Sequence, residues 1–273
     1  MTIRSMQVGN VEIGGEGLGF ILGPCVIESE EFCRRMAASL VRICAEIGVS
    51  FVFKASYDKA NRSSVDAFRG IGLEEGGRIL RSIGDEFGIP VTTDVHTAEE
   101  AVAAAKYVDL LQIPAFLCRQ TDLIRACAET GRAVNVKKGQ FLAPWDVPNI
   151  AKKLEAFGCE NYVFTERGTT FGYNNLVADM RSIYWMQERG YPVVFDATHS
   201  VQRPGGGGDR TTGDGILAPV LARAAVAAGA NAVFMEIHED PSKAFSDGPN
   251  QIPLADAPAL LRQLLRIREC LDA

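Results

Sequence analysis

Residues 53–65, FKASYDKANRSSV, leave an apolar run and enter a cationic, hydroxyl-rich loop. Lys54, Lys59 and Arg62 stand there with Asn61, Ser63 and Ser64, against a single acid, Asp58. Such donors suit phosphate or carboxylate ligands, with Arg offering bidentate contacts and Lys a point charge. Further cations, Lys137, Lys138 and Arg167, end other apolar stretches. Burying several cations together is costly unless structural acids or anionic ligands neutralise them. Any one lysine also fits a solvated surface, but the set points to a site for small anions. In a chain of net charge -6, local basic clusters favour small anionic ligands over nucleic acid or an anionic membrane surface.

A second set is Cys25, His199, Glu236 and Asp247. A thiolate, an imidazole and two carboxylates make a divalent-metal shell. Their separations form no compact metal motif. Cys25 also reads as a packed thiol, His199 as a hydrogen-bonded strand-end histidine, and Asp247 as a turn residue before Gly248-Pro249. The seven cysteines (Cys25, Cys33, Cys44, Cys118, Cys127, Cys159, Cys270) are odd in number and scattered, which argues against a disulfide framework.

Something must bring these residues together. Short β-branched or aromatic runs predict eight strands, at 20–24, 51–55, 90–95, 108–114, 133–138, 162–167, 192–198 and 232–237. Several are almost continuously apolar, as parallel strands buried on both faces are. Helical patterns alternate with them, at 30–48, 72–88, 97–107, 120–131, 144–158, 174–190, 214–230 and 254–271. Phe32, Met36, Leu40 and Cys44 share one face of the first, Gly48 ends it, and Thr97 with Glu100 has capping-box spacing. Eight such repeats in 273 residues predict an α/β protein, a single (β/α)8 TIM barrel spanning 1–273. A doubly wound open sheet is the alternative, weakened because no GxGxxG follows the first strand. Residues 1–16 read as an N-terminal hairpin closing the barrel's bottom. The glycine-rich stretch 204–215 reads as a mobile lid or as a plain surface loop. With no apolar run long enough to span a membrane and no signal-peptide core, the default location is cytoplasmic.

Chemistry in such barrels collects at the C-terminal ends of the strands. In order these ends give Cys25; Lys54; Asp94; Gln112; Lys137 and Lys138; Glu166 and Arg167; His199; Glu236 and His238. Closure makes the eighth strand a neighbour of both the first and the seventh, drawing the metal set together.

The motifs GPCVIES, FKASYDKANRSS, GLEEG, TDVH, QIPAFLCRQTDL, NVKKGQF, ERGTTFGYNNLVADM, FDATHSVQ and SDGPNQIPL, from about Phe20 to Leu254, resemble 3-deoxy-D-manno-octulosonate 8-phosphate synthases. The resemblance implies condensation of phosphoenolpyruvate with D-arabinose 5-phosphate and water, releasing phosphate, for the inner core of lipopolysaccharide. It implies a cytoplasmic homotetramer with these small molecules as partners. One branch of that family is metal-independent and carries asparagine where Cys25 stands, often with cysteine where Ser246 stands. Both positions here resemble the metal-dependent branch, with Cys25, His199, Glu236 and Asp247 as ligands of zinc, ferrous iron, manganese or a similar ion.

By the same resemblance, Arg62 and Ser63 hold the sugar phosphate, and Asn61 and Asp94 the sugar hydroxyls. Lys54 and Lys59 face phosphoenolpyruvate. Lys137 and Arg167 clamp its phosphate, helped by Gln112 and the backbone near Ala115, and His199 also sits beside it. Arg119 is similar to a residue lent across a subunit interface. The residues expected at the chemistry are Cys25, Lys59, His199 and Asp247, with Cys25 as ligand and not nucleophile. The nearest alternative is a 3-deoxy-D-arabino-heptulosonate 7-phosphate synthase using erythrose 4-phosphate, which usually carries a KPRTS-like loop in place of KANRSS. A catalytically dead barrel serving as a scaffold is the alternative from another class.

Overall fold

The computed structural model describes residues 2–208 and 211–271. The eight expected strands form: β1 (Gly19–Gly23), β2 (Val52–Lys54), β3 (Val91–Asp94), β4 (Leu110–Ile113), β5 (Ala133–Lys137), β6 (Tyr162–Glu166), β7 (Val193–Asp196) and β8 (Ala232–His238). Each pairs in parallel with the next, and β8 returns to pair with β1, so the sheet closes. Eight helices wrap it: α1 (Glu30–Ile47), α2 (Leu73–Phe87), α3 (Ala98–Ala104), α4 (Thr121–Glu129), α5 (Pro148–Ala156), α6 (Arg181–Glu188), α7 (Ala218–Ala227) and α8 (Ala257–Leu271). This is the expected (β/α)8 barrel, and the open-sheet alternative falls. Among the described residues, no helix is long and apolar enough to cross a membrane.

Local chemistry explains the elements. Ser29 caps α1 by accepting from the Phe32 amide at 3.1 Å, and Gly48, at φ 81, ends it in the left-handed conformation. Thr97 caps α3 by accepting from the Glu100 amide at 3.2 Å. Glu100 does not complete the reciprocal box, because its carboxylate is held by Tyr57 and His96 instead. Gly23 cannot bear a side chain, since a Cβ there would lie 2.0 Å from the Lys54 carbonyl oxygen.

Strand alternation divides the interior. Phe20, Leu22, Phe53, Val134, Val136, Phe164, Phe195 and Val233 face outward into the core beneath the helices. Ile21, Val52, Leu110, Ala133, Val163, Val194, Ala232 and Phe234 face inward at the lower levels. The strands Met6–Val8 and Val11–Ile13 form the expected antiparallel hairpin, with Met6 opposite Ile13. Its buried Met6, Val8, Val11 and Ile13 join that lower layer and stopper the barrel's N-terminal end.

One helix differs from expectation. The pattern over 174–190 yields helix only over Arg181–Glu188. Upstream, Thr169–Thr170 pairs antiparallel with Leu176–Val177. Gly172 at φ 74 and Asn174 at φ 53 turn the chain between them, a conformation no right-handed helix accommodates. In the glycine-rich stretch, Gln202–Arg203 pairs antiparallel with Thr212–Gly213. Asp209 and Arg210, within the anticipated lid, lie outside the described residues.

Candidate active site

The C-terminal ends of the strands surround a cleft of about 930 Å³. Its walls include Lys54, Lys59, Asn61, Arg62, Ser63, Asp94, Gln112, Ala115, Lys137, Arg167, His199 and Asp247. Cys25 and Glu236 are buried beside it, each 1% exposed. Arg119 is elsewhere: it is exposed, beyond the turn Ala115–Leu117, and its carbonyl accepts from Lys153 Nζ at 3.0 Å.

Three of the strand-end residues counted as converging do not converge. On β5, Lys137 points inward and its neighbour Lys138 outward, because successive side chains alternate. For the same reason Arg167 enters the cleft and Glu166 leaves it. Lys138 Nζ and Glu166 Oε2 lie 3.5 Å apart, at 0% and 1% side-chain exposure. Lys138 also donates to the Leu142 carbonyl at 3.0 Å, and Glu166 Oε1 accepts from the Gly168 amide at 2.7 Å. His238 turns towards α1, with its Nε2 3.2 Å from Glu28 Oε1 and its ring against Phe32.

Inside the mouth, cations and carboxylates interlock. Lys54 Nζ donates to Glu236 Oε1 at 2.7 Å and to the Cys25 carbonyl at 2.9 Å. Lys59 Nζ lies 3.7 Å from the same Glu236 oxygen. Lys137 Nζ bonds Asp196 Oδ2 and sits over the Phe234 ring, 3.4 Å from its centroid. Burial lowers the Lys137 ammonium to about 8, with Asp196 acting against the shift. Burial opposes ionisation of Asp196 too, but His199 and Lys137 outweigh it and hold the carboxyl below its ordinary range. Glu236 is likewise lowered, by Lys54, His199 and Lys59 against burial.

Two guanidinium groups are incompletely used. Arg167 donates to Gln202 Oε1 at 2.7 Å, but its other terminal nitrogen is buried without a partner. Arg62 donates through Nε to the Phe68 carbonyl at 3.3 Å and also leaves a buried terminal nitrogen unpaired. Buried donors without acceptors are costly, and both residues line the cleft. The cavity is therefore suited to acceptor-rich anions.

The metal set can be tested as chemistry. Ligand atoms of Cys25, Glu236 and Asp247 all lie within 4.8 Å of one another. His199 stands beside this trio, with Nε2 3.6 Å from Glu236 Oε1. Its Nδ1 is 2.7 Å from Asp196 Oδ2, within reach of that carboxylate although out of line for a hydrogen bond in this geometry. A carboxylate behind an imidazole is what orients a metal-binding histidine. Cys25 Sγ also contacts Ser246 Oγ at 2.8 Å. Burial first, then Glu236 and Asp247, push the Cys25 thiol up to about 12, against Lys59 and Lys54. A buried thiol facing carboxylates fits a role as thiolate only where a cation joins them. Asp247 holds φ 50, a strained conformation for a non-glycine residue and a frequent mark of functional sites. Cys25, Glu236 and Asp247 are thus gathered as donors for a divalent ion, with the His199 imidazole adjacent to the group but outside it, a mixed S/N/O set.

Residues that the strand-end reading passed over complete the picture. Asp196 is fully buried, bonded to Lys137 and beside His199. Gln202 joins Arg167 to Asp247, donating to Asp247 Oδ2 at 3.3 Å. His96 lines the cleft 3.1 Å from Asp94. Inward parity on β7 was the available signal for Asp196. Gln202 and His96 lie beyond their strands and carry no periodic signal.

Against known proteins, the chain matches the DAHP synthetase I family over residues 2–272. A protein of Synechococcus sp. named 2-dehydro-3-deoxyphosphooctonate aldolase is 58% identical over 270 residues, 98% of this chain and 95% of its own. Proteins of the same name from Trichlorobacter lovleyi and Geobacter sulfurreducens are 56% and 55% identical, covering 99% and 97% of this chain and 98% and 97% of their own.

Proposed function

The chain belongs to the DAHP synthetase I family, and on that premise we propose that it condenses phosphoenolpyruvate with D-arabinose 5-phosphate and water, giving 3-deoxy-D-manno-octulosonate 8-phosphate and phosphate. The relatives' name describes a phosphorylated eight-carbon 2-keto-3-deoxy acid. A three-carbon enolpyruvate and a five-carbon aldose supply those carbons, whereas a four-carbon aldose falls one short. That favours arabinose 5-phosphate over erythrose 4-phosphate. The observation that carries the reading is one cavity lined by both cation sets, with two unpaired guanidinium nitrogens.

The residues divide the work. Lys54, Lys59, Lys137 and Arg167 receive phosphoenolpyruvate, with Gln112 and the Ala115 backbone beside them and His199 near its phosphate. Arg62 and Ser63 receive the sugar phosphate, and Asn61 and Asp94 its hydroxyls. Their cations offset the repulsion of two anions and hold the reacting carbons face to face. C3 of phosphoenolpyruvate bonds to the aldehyde carbon, whose oxygen takes up a proton. Water adds at C2 and loses a proton. The hemiketal hydroxyl gives up its proton as the bond from C2 to the phosphate oxygen breaks, leaving a ketone, and the departing phosphate takes up a proton. Burial opposes charge on Lys59, but Cys25, Glu236, Asp94 and Asp247 outweigh it and raise its ammonium above the ordinary range, so it remains protonated. It is thereby suited to steady negative charge developing at the aldehyde oxygen.

Cys25, His199, Glu236 and Asp247 would hold a divalent ion. Such an ion, when bound, supplies Lewis acidity toward the water or the aldehyde. The fit of these donors supports membership of the metal-dependent branch. Exposed Phe116, Phe141, Trp145, Phe171, Tyr173, Tyr184 and Trp185, on the loops after β4, β5 and β6 and on α6, support assembly with further copies of the chain, in keeping with a homotetramer. Arg119 follows the first of these and would enter a partner's sugar-phosphate site. The 1–273 chain would act as one catalytic domain, in the cytoplasm, on the route to lipopolysaccharide.

The test is phosphate release from phosphoenolpyruvate with arabinose 5-phosphate and, separately, erythrose 4-phosphate, before and after chelation. Release with the pentose phosphate and its loss on chelation are expected. Preference for erythrose 4-phosphate would reject the substrate assignment. Full activity of metal-free Cys25→Ala protein would end the metal proposal.

A further inference from the structure

Behind Asp94 lies a chain of hydrogen bonds that the reaction as described does not use. Tyr57, 2% exposed, donates its hydroxyl to Glu100 Oε2 at 2.7 Å. That oxygen also accepts from the His96 amide at 2.8 Å and lies 2.9 Å from His96 Nδ1. The opposite ring nitrogen, Nε2, lies 3.1 Å from Asp94 Oδ2. The other Asp94 oxygen accepts from Ser56 Oγ. The Tyr57 ring stands edge-on to the imidazole at 5.8 Å and 75°. Three separate segments converge here: the loop after β2, the end of β3 and the first turn of α3.

Both imidazole nitrogens face carboxylate oxygens, an arrangement satisfied when both carry protons. Burial opposes that charge, but Asp94 and Glu100 outweigh it and raise the His96 imidazole above its ordinary range. The Asp94 carboxyl is lowered, by His96, Lys59 and Lys54 against burial. Each Asp94 oxygen has a single protein donor, which leaves acceptor capacity for ligand hydroxyls. Only His96 and Asp94 of the four line the cleft; Tyr57 and Glu100 act from behind.

We propose that Tyr57, Glu100 and His96 form a positioning relay that fixes Asp94 in one orientation as the acceptor for hydroxyls of the aldose phosphate. The relay sets affinity for that substrate independently of phosphoenolpyruvate. This rests on the assignment of Asp94 to the sugar hydroxyls.

The test is steady-state kinetics of His96→Gln with each substrate varied in turn. Glutamine cannot donate to Asp94 and Glu100 in the geometry of the flat ring. Loss of one charge-assisted contact predicts a rise of about tenfold in KM for arabinose 5-phosphate, with KM for phosphoenolpyruvate within about twofold of wild type. Glu100→Gln, a change on the half-exposed side of the relay, is expected to show the same selectivity in smaller measure should His96→Gln fold poorly. Deoxy analogues of arabinose 5-phosphate sharpen the result: removing the hydroxyl that Asp94 accepts should cost wild type more than it costs His96→Gln. Equal rises in both KM values, a fall in kcat with both KM values unchanged, or strictly additive analogue penalties overturn the relay. Wild-type protein that releases no phosphate with arabinose 5-phosphate would defeat the underlying reading instead; active wild type with unselective variants defeats the relay alone.

Discussion

Lys137 ends a strand and Lys138 follows it, both buried and both paired with a carboxylate, yet they belong to different worlds. Lys137 looks into the cleft, with Asp196 beneath it and an open wall in front. Lys138 looks the other way, sealed among Glu166, Thr169 and the carbonyls of Gly139 and Leu142. The difference is one of partners left to gain. The inward ion pair can accept a further anion, whereas the outward one has no opening through which a ligand could reach it. Burial and charge alone do not separate the two lysines; the direction set by strand parity does.

The contrast breaks most visibly on removal of the two ammonium groups. Lys137→Ala is expected to lower kcat/KM about a thousandfold in the folded protein, the scale of losing a donor aimed at developing charge, while the stability lost is moderated because Asp196 keeps His199 beside it. An enzyme assay beside a urea denaturation curve measures both. Lys138→Met should do the reverse. It leaves Glu166 buried without its cation and should cost about 3–5 kcal/mol of stability, with the folded fraction still active. Pairing it with Glu166→Gln should restore part of that loss. If Lys138→Met lost activity at unchanged stability, the division between the two faces would be wrong.

A smaller effect sharpens the same comparison through pH. Burial lowers the Lys137 ammonium to about 8. Its charged fraction falls as pH climbs through that value, so KM for phosphoenolpyruvate should rise several-fold on the alkaline side. Lys137→Arg, which keeps its charge, should flatten the rise. A KM constant from pH 7 to 9 would remove Lys137 from phosphate binding.

The barrel was legible because each strand is an apolar run of the right length and each helix an amphipathic one between them. Every strand position was found, since burial on both faces leaves a compositional mark. The helix expected over 174–190 begins only at Arg181, because Gly172 and Asn174 impose a turn that periodicity does not weigh. Most proposed site residues line one cleft because strand ends share one rim. Lys138 and Glu166 have the residue types of a site but outward parity, whereas His238 shares the inward parity of Glu236 and is instead turned to Glu28 and Phe32. Asp196 ends its strand with inward parity, but nothing in the sequence marks the Lys137 and His199 that it meets only on folding. The Tyr57–Glu100–His96 chain was invisible, because its members meet only after a loop, a strand end and a helix start are folded together.

The hairpin at the far end carries a last implication. Met6 and Ile13 are fully buried against the lowest inward ring, so among the described residues the cylinder is floored at the end opposite the cleft. Two phosphorylated reactants arrive, and two products depart, across the rim where the strands end. Turnover is therefore a matter of queueing as well as bond-making, and whatever lingers at the entrance delays everything behind it.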